Sequence, residues 1–236
     1  MNRTLKRIVN DIALFERMSP ENMYIKYDRS NLMKIHGMII GEKDTPYAYG
    51  YYFFEIVFPD NYPLTSPKVL FLTTNGKVRF NPNLYENGKV CLSILGTWAG
   101  PGWRPIMNLM TLMKDLQLLL HDNPIINEPG HEKKKKTDKE SIIYNRYLSY
   151  WTIELGILGV IKDDKFKYLR ELFLEEIKGS YEKNLAEIVN NINLYMKDKP
   201  LSCCTYIYFQ RDKGNVYNYD GKIEEVEEAY KLLNKK

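Results

Sequence analysis

The feature that most limits what this chain can fold into is a turn-rich stretch, residues 79–103, that surrounds one cysteine. It reads RFNPNLYENGKVCLSILGTWAGPGW. Proline fixes its own φ, glycine permits positive φ and asparagine tolerates the left-handed region, so this composition favours turns over a regular helix or strand. After Cys91, the apolar residues Leu92, Ile94 and Leu95 predict a short buried anchor. The stretch therefore predicts a cysteine that is presented by a turn and is accessible to another molecule.

The segments around this stretch predict an α+β domain. Apolar residues at spacings of three and four predict an amphipathic helix over residues 2–18 and a strongly apolar helix over residues 106–120. Three prolines around Tyr62 exclude a central strand there and predict a rigid surface turn that leads into an edge strand. The predicted strands are residues 23–27, 32–40, 51–58 and 68–72.

The last third of the chain predicts mainly helix. Apolar residues at helical spacing cover residues 142–161, 165–196 and 223–233, and these faces need a surface to cover. A short strand is predicted at residues 203–209, with turns at Gly214 and Gly221.

Composition excludes several classes of protein. The 236 residues are 44% hydrophobic and 27% charged with a net charge of +4, which is ordinary for a folded globular chain. The only concentrated charge run, residues 133–136, lacks interleaved aromatic residues, so we expect a solvated loop and no nucleic-acid partner. No apolar run has the length of a membrane span or the form of a signal peptide, which predicts no membrane partner and a cytoplasmic or nuclear location. Three cysteines, two of them adjacent at Cys203 and Cys204, predict reduced thiols and no metal site.

The spacing around Cys91 resembles the active-site signature of the ubiquitin-conjugating enzymes. That signature is usually His-Pro-Asn, a turn, then Gly-x-x-Cys-Leu, and here Asn81 takes the place of the histidine. The Asn-Pro-Asn form, followed by CLSILGTW, a Gly-Pro and the Trp-x-Pro of residues 103–105, is most similar to the long-tailed Z-type branch.

Two further segments carry the same resemblance. Residues 41–50, GEKDTPYAYG, resemble the family's Gly-Pro-x-Asp-Thr-Pro-Tyr-x-Gly-Gly, from which Glu42 and Tyr49 depart. Residues 58–69, FPDNYPLTSPKV, resemble its Phe-Pro-x-x-Tyr-Pro-x-x-Pro-Pro-Lys-Val. The motifs are strongly specific over about residues 32–132.

The resemblance implies a UBC-like fold: an N-terminal helix, a four-stranded antiparallel meander sheet, an active-site flap, and central and C-terminal helices. It implies a conjugating core over residues 1–160 and a mainly helical C-terminal extension, residues 161–236, packed on that core. The implied enzyme is a transferase. By this resemblance, Cys91 is expected to accept ubiquitin or a ubiquitin-like modifier as a thioester from an activating enzyme and to pass it to a substrate lysine, usually with a ligase. No cofactor is implied, because only the activating enzyme uses ATP.

The same resemblance assigns roles near the thiol. Asn83 stands where the family has an asparagine that either stabilises the oxyanion of the tetrahedral intermediate or braces the loop, and both roles are open. Asn81 is expected to brace the flap by hydrogen bonds, and Tyr85 to pack beneath the loop. Glu128, beside a proline in the segment NEPGHE, corresponds with one inserted residue to an acid that faces the incoming lysine.

Partner-binding residues are implied at two other places. Lys6 and Arg7, on the exposed side of the first helix, are expected to help dock the activating enzyme. Leu64, Pro105 and Ile106 lie on two proline-stiffened segments and are expected to form one small ligase-facing patch.

Two other functions are possible for such a chain. One is a catalytically weak ubiquitin-binding scaffold of the same fold, against which the presence of Cys91 counts. The other is a cysteine protease with His36, His121 or His131 as the base, against which the surroundings of Cys91 count, because they carry no protease signature. The sequence does not identify the modifier, the activating enzyme, the ligase or the substrates.

Overall fold

An antiparallel sheet and two helices form the first part of the chain. The computed structural model describes residues 3–197 and 218–234. The four strands pair in chain order, which confirms the predicted meander. Their bounds are Met23–Asp28 (β1), Asn31–Ile40 (β2), Tyr51–Val57 (β3) and Lys68–Phe71 (β4).

Two helices supply the apolar side chains that complete this core. The first helix, α1, spans Arg3–Met18 and buries Ile8, Ile12 and Phe15 at the predicted spacing. The second, α2, spans Leu109–Leu118, where Asn108 caps the first turn by accepting a hydrogen bond from the Thr111 N–H at 3.0 Å. Every predicted apolar position of α2 from Leu109 to Leu116 is buried, so the stripe is core.

The described residues divide into two compact units. Residues 3–40 and 52–121 form the first unit, which contains Cys91. Residues 41–51, 122–197 and 218–234 form the second unit. The predicted boundary at residue 160 and the packing of the extension on the core stay predictions.

The second unit is helical, as expected for the C-terminal part of the chain. Its α-helices are α3 (Lys139–Trp151), α4 (Val160–Lys162), α5 (Lys167–Leu172), α6 (Leu174–Lys197) and α7 (Lys222–Leu233). Tyr181 of α6 donates a hydrogen bond to the Val226 carbonyl of α7 at 2.9 Å, and its ring stacks on Tyr230 with centroids 6.2 Å apart. These contacts hold α6 and α7 together.

Two predicted helices differ in detail. The helix expected over residues 142–161 contains an eight-residue π-helical segment, Thr152–Gly159, between α3 and α4. The helix expected over residues 165–196 begins as a 3₁₀ turn at Asp164–Phe166 and is interrupted between α5 and α6 at Phe173. The backbone of Phe173 is outside the helical region (φ −111°, ψ 25°), and its side chain is fully buried. The interruption of the helix therefore coincides with a core residue. The predicted strand at residues 203–209 and the turn at Gly214 lie outside the described residues.

The loop before β3 shows what one departure from the family motif does. Tyr49 stands where the family motif has a glycine, and it keeps the left-handed backbone with φ of 64°. Its N–H donates to the Gly41 carbonyl at 2.8 Å, and Gly41 itself has no room for a side chain, because a Cβ would lie 1.8 Å from the Tyr47 carbonyl oxygen. The loop therefore holds a tyrosine in the left-handed backbone conformation where the family motif has a glycine.

In the part of the chain that the structure covers, no helix is both long and apolar enough to cross a membrane. Over the same described ranges, no group of three or more His, Cys, Asp or Glu side chains is arranged to hold a metal ion.

Candidate active site

The segment that ends at Cys91, residues 79–91, is irregular, as predicted, and is called the flap below. It is hydrogen-bonded to the edge of the sheet. The Phe71 N–H at the end of β4 donates to the Gly88 carbonyl at 2.8 Å, and Leu70 forms an isolated bridge with Lys89. Gly88 has φ of 88°, and a Cβ there would lie 2.8 Å from the Phe71 carbonyl oxygen. Only glycine fits this close approach of the flap to β4.

Asn81 braces the flap from below. Its side chain is fully buried; Nδ2 donates to the Leu119 carbonyl at 2.7 Å, and Oδ1 accepts from the Asn83 N–H at 2.9 Å. Leu119 is the C-cap residue of α2, and the last carbonyls of a helix have no partner within it. One amide therefore satisfies a helix end and fixes the Asn-Pro-Asn turn at the same time.

Asn83 is hydrogen-bonded to the cysteine residue itself. Its Nδ2 donates to the Cys91 backbone carbonyl at 2.6 Å, and the Cys91 N–H donates to the Asn83 carbonyl at 2.9 Å. Asn83 Oδ1 is buried without a hydrogen-bond partner among the described residues. The amide donor is thus engaged in bracing, and it reaches an oxyanion only if the Asn83 side chain turns away from the Cys91 carbonyl.

Cys91 lies at the end of the flap, directly before a 3₁₀ turn at Ser93–Leu95. The residue is a free thiol and only 2% exposed, so it is more enclosed than its turn-rich sequence suggested. Thr97 is hydrogen-bonded to both neighbours of Cys91 in the chain. The Thr97 hydroxyl donates to the Val90 carbonyl at 2.8 Å and accepts from the Leu92 N–H at 3.0 Å. The segments on both sides of the thiol are therefore tied together.

Two exposed loops of the same unit carry the predicted ligase patch. Leu64 is 72% exposed and Ile106 is 85% exposed, so both apolar side chains are accessible on the surface. Trp103 links the loops, because its Nε1 donates to the Pro63 carbonyl at 2.7 Å. This hydrogen bond anchors Leu64 on one side and Pro105 on the other.

The comparisons with known proteins bear on this arrangement. The family model described as Ubiquitin-conjugating enzyme matches residues 7–151, which include the whole flap and both loops. The chain belongs to the ubiquitin-conjugating enzyme family.

The curated relatives place it in the Z-type branch of that family. The chain is 40% identical over 162 residues to ubiquitin-conjugating enzyme E2 Z of Xenopus tropicalis, covering 68% of this chain and 51% of that protein. It is 36% identical over 196 residues to the same enzyme of Homo sapiens, covering 83% of this chain and 53% of that protein. The chain thus spans about half the length of these relatives. A solved structure of human ubiquitin-conjugating enzyme E2 G1 is 30% identical and covers 51% of this chain and 96% of its own, with a TM-score of 0.45.

In this member of the family, Arg7 is not a free surface cation. Its Nε lies 2.8 Å from Asp11 Oδ1, and its two terminal nitrogens donate to the carbonyls of Pro105 at 3.0 Å and Met107 at 2.6 Å. Tyr62 also donates to Asp11, whose carboxylate is 4% exposed. Burial, followed by this contact with Asp11, raises the pKa of Tyr62 far above its usual value. Arg7 therefore fixes the loop at residues 105–107, whereas Lys6, its neighbour, is exposed.

The other predicted residues lie elsewhere. Glu128 belongs to the second unit, where its N–H donates to the Ile125 carbonyl at 3.0 Å and its carbonyl accepts from the His131 N–H at 2.9 Å. Its predicted position opposite Cys91 stays a prediction. His36, one of the possible protease bases, lies on β2 with Nε2 3.8 Å from Glu55 Oε2.

Sequence reasoning passed over two residues that the structure brings into the site. Thr97 closes the loop after the thiol, as described above, and Arg79 lies over the ring of Tyr85 with its Cζ 3.7 Å from the ring centroid. Thr97 was visible in the motif CLSILGTW, although no role was attached to it. Arg79 gave no signal, because one arginine before a turn is an ordinary surface residue.

Proposed function

We propose that this chain accepts ubiquitin or a ubiquitin-like modifier as a thioester on Cys91 and transfers it to lysine amines of substrate proteins. The observation that carries the proposal is the position of Cys91 at the end of a flap whose backbone is fixed by Asn81 and Asn83 before the thiol and by Thr97 after it. Family membership supports the ubiquitin pathway.

Loading begins with attack of the Cys91 sulfur, as thiolate, on the thioester carbonyl held by an activating enzyme. The new S–C bond forms as the bond to the donor's sulfur breaks, and the donor leaves as a thiolate. A thiolate serves because it is both a good nucleophile and a good leaving group. The exchange conserves one thioester, so ATP is needed only by the activating enzyme.

Discharge transfers the acyl group to nitrogen. The neutral amine of a lysine attacks the thioester carbonyl, a tetrahedral oxyanion forms, and its collapse expels the Cys91 thiolate and leaves an amide, while the amine loses a proton. Asn83 supports the geometry of this step through the Cys91 carbonyl. Glu128 is our candidate for orienting the amine and accepting its proton through water.

Two exposed surfaces of the first unit are our candidates for docking a ligase and an activating enzyme. Leu64, Pro105 and Ile106 form the proposed ligase patch, and Lys6 is the exposed base of α1 for the activating enzyme. Arg7 contributes indirectly, because it holds the Pro105–Met107 loop.

The test is thioester formation with ATP and a panel of activating enzymes and modifiers, read on non-reducing gels. Wild-type chain should give an adduct that reductant removes, and Cys91→Ser should give a reductant-resistant oxyester. Cys203→Ser with Cys204→Ser is the matched control and should load normally. A reductant-sensitive adduct on Cys91→Ala at the wild-type level would refute the assignment, and absence of any adduct would favour a non-catalytic scaffold.

A further inference from the structure

An exposed face joins β4 to the part of the flap that ends at Cys91. Lys68 and Leu70 of β4 are exposed, whereas Phe71 is buried, so the two exposed side chains share the outer face of the strand. Leu70 forms an antiparallel bridge with Lys89 of the flap, which places the exposed Lys89 side chain on the same face. We call Lys68, Leu70 and Lys89 the β4–flap face.

This face lies next to the thiol. Cys91 follows Lys89 by two residues, and alternate residues of an extended segment point to the same side. The segment is extended, because the Cys91 N–H donates to the Asn83 carbonyl at 2.9 Å and Val90 bridges to Leu84. Two residues of extended chain span about 6.6 Å. The ammonium of Lys89 is therefore one of the charges closest in the chain to a thioester on Cys91.

The two lysines of this face carry charge that no acid neutralises. Glu55, on the same face of the neighbouring strand β3, has its carboxylate 2.5 Å from Lys34 Nζ. Among the described residues, neither Lys68 nor Lys89 has a salt-bridge partner. Lys89 Nζ lies 5.5 Å from the ring centroid of Tyr85, and an aromatic ring leaves the positive charge in place. The β4–flap face is therefore positive.

Leu70 gives the same face an apolar centre. Its side chain is 43% exposed and lies between the two lysines. One exposed leucine means little by itself. Here it is flanked by cations whose aliphatic stems extend the apolar surface, while their ammonium groups stay in water. Such a surface is complementary to a segment that carries an apolar and an acidic side chain.

We propose that the β4–flap face docks the substrate segment that carries the acceptor lysine, and that it favours a segment with an acidic and an apolar residue close to that lysine. The proposal rests on the proposed function, in which the acceptor amine has to reach the thioester on Cys91. In an extended segment, a residue two positions from the acceptor lysine is about 6.6 Å away, which matches the spacing of Lys89 and Cys91. A carboxylate there reaches Lys89, and an apolar side chain beside it covers Leu70.

The test is single-turnover discharge of a preformed thioester to free lysine and to short peptides with one lysine. The peptides carry glutamate, glycine or arginine two positions from the lysine, with or without a leucine next to that position. Discharge to the glutamate peptide should be about three- to tenfold faster than to the arginine peptide, as expected for one or two exposed ion pairs and the matching repulsion. The preference should shrink as ionic strength approaches about 1 M, where the Debye length is about 3 Å.

Charge reversal separates this role from a structural one. Lys68→Glu with Lys89→Glu should invert the preference in favour of the arginine peptide, and discharge to free lysine should change by less than about twofold, because free lysine has no flanking residues. Lys68→Arg with Lys89→Arg should keep the wild-type preference. Arg29→Glu with Lys114→Glu, at two exposed positions elsewhere in the unit, is the control with the same change of net charge and should also keep it. An unchanged preference in the first variant, or an equal loss with free lysine and every peptide, would overturn the proposal.

The apolar part of the face has its own variant. Leu70→Ser should remove the advantage of the peptides that contain leucine and leave the preference for glutamate in place, because the two lysines are retained. A leucine advantage that persists in Leu70→Ser would exclude Leu70 from the docking surface.

A second readout does not depend on transfer. In the ¹⁵N spectrum of Cys91→Ala, titration with the peptide that contains glutamate and leucine should shift the amide signals of Leu70 and Lys89, and the arginine peptide should shift them less. Absence of any shift at these two residues would overturn the proposal. A chain that binds the peptide here but never forms a thioester would instead refute the proposed function and leave the docking surface in place.

Discussion

The buried hydrogen bond between Tyr62 and Asp11 predicts how much the free energy of unfolding falls when it is removed. Tyr62 is 2% exposed and Asp11 is 4% exposed, so neither group is well solvated in the folded chain. Tyr62→Phe removes the hydroxyl that donates to the carboxylate and changes little else in shape. A hydrogen bond to a charged group contributes roughly 1.5–3 kcal/mol. Because Arg7 still pairs with Asp11, we expect a loss of about 2 kcal/mol in the free energy of unfolding, within that range.

Removal of the arginine should cost more. Arg7→Met leaves the buried carboxylate without its cation, and breaking a buried ion pair costs roughly 3–5 kcal/mol. The Arg7 side chain is 26% exposed, so solvent screens part of the loss. We therefore expect about 3 kcal/mol, the lower end of that range. The double variant should lose less than the sum, because both substitutions act on Asp11.

The assay is urea unfolding followed by fluorescence, because the ring of Trp103 lies 5.9 Å from that of Tyr62 and reports on this unit. A loss of 2 kcal/mol should lower the midpoint by about 1 M at an ordinary m-value. Arg17→Met, at an exposed position of α1, is the matched control and should change stability by less than about 0.5 kcal/mol. Two results would refute the reasoning. One is a loss of stability in Tyr62→Phe as small as that of the control, and the other is strict additivity of the Tyr62→Phe and Arg7→Met losses in the double variant.

The remaining predictions concern the ligase patch, the acidic residue and α7. Leu64→Arg should leave loading intact and lower ligase-stimulated transfer, because a charge loses hydration at a small apolar contact; Leu118→Arg, at 70% exposure against 72% for Leu64, is the control, and equal stimulation of both variants would exclude the patch. Glu128→Ala should slow discharge to lysine and recover in part at high pH, where more of the amine is neutral; normal discharge at every pH would remove Glu128 from the mechanism. The hydrogen bond from Lys222 lowers the pKa of Glu225 below 4.5, so this contact stabilises the fold above that pH and is lost as the pH falls through the lower folded-state pKa. Glu225→Gln should flatten the stability profile in this acid range, and an unchanged profile would contradict the assignment.

The regular elements could be predicted from the sequence because they repeat a local pattern. β2 and β3 carry β-branched and aromatic residues, and the buried positions of α1 recur at the helical period. The flap was predictable as irregular for the opposite reason, since its Asn, Pro and Gly residues preclude a repeat. In each case the information lies within a few neighbouring residues.

The features that the sequence did not predict are of two kinds. Some depend on contacts between residues that are distant in the chain, and others lie in runs of uniformly apolar residues. Arg7 gave the pattern of a solvated base, although its carbonyl partners lie 98 and 100 residues away. The π-helical segment lies in a run of buried apolar side chains, where periodicity does not distinguish one helix type from another. The enclosure of Cys91 likewise depends on Thr97, whose hydrogen bonds to Val90 and Leu92 follow from the folded turn and not from spacing alone.

The long-range hydrogen bonds of Arg7 have a consequence for synthesis on the ribosome. The helix α1 is made before the carbonyls of Pro105 and Met107 that bind Arg7, which follow about 100 residues later. At roughly 5–20 residues per second, that delay is about 5–20 s. During this interval β1 to β4 emerge as successive neighbours and can pair as hairpins, and the apolar stripe of Ile8, Ile12 and Phe15 can pack on β2 before α2 completes its cover. The helix α1 therefore reaches its full set of contacts only after most of its unit has been made, and until then a ribosome-associated chaperone can shield its apolar stripe.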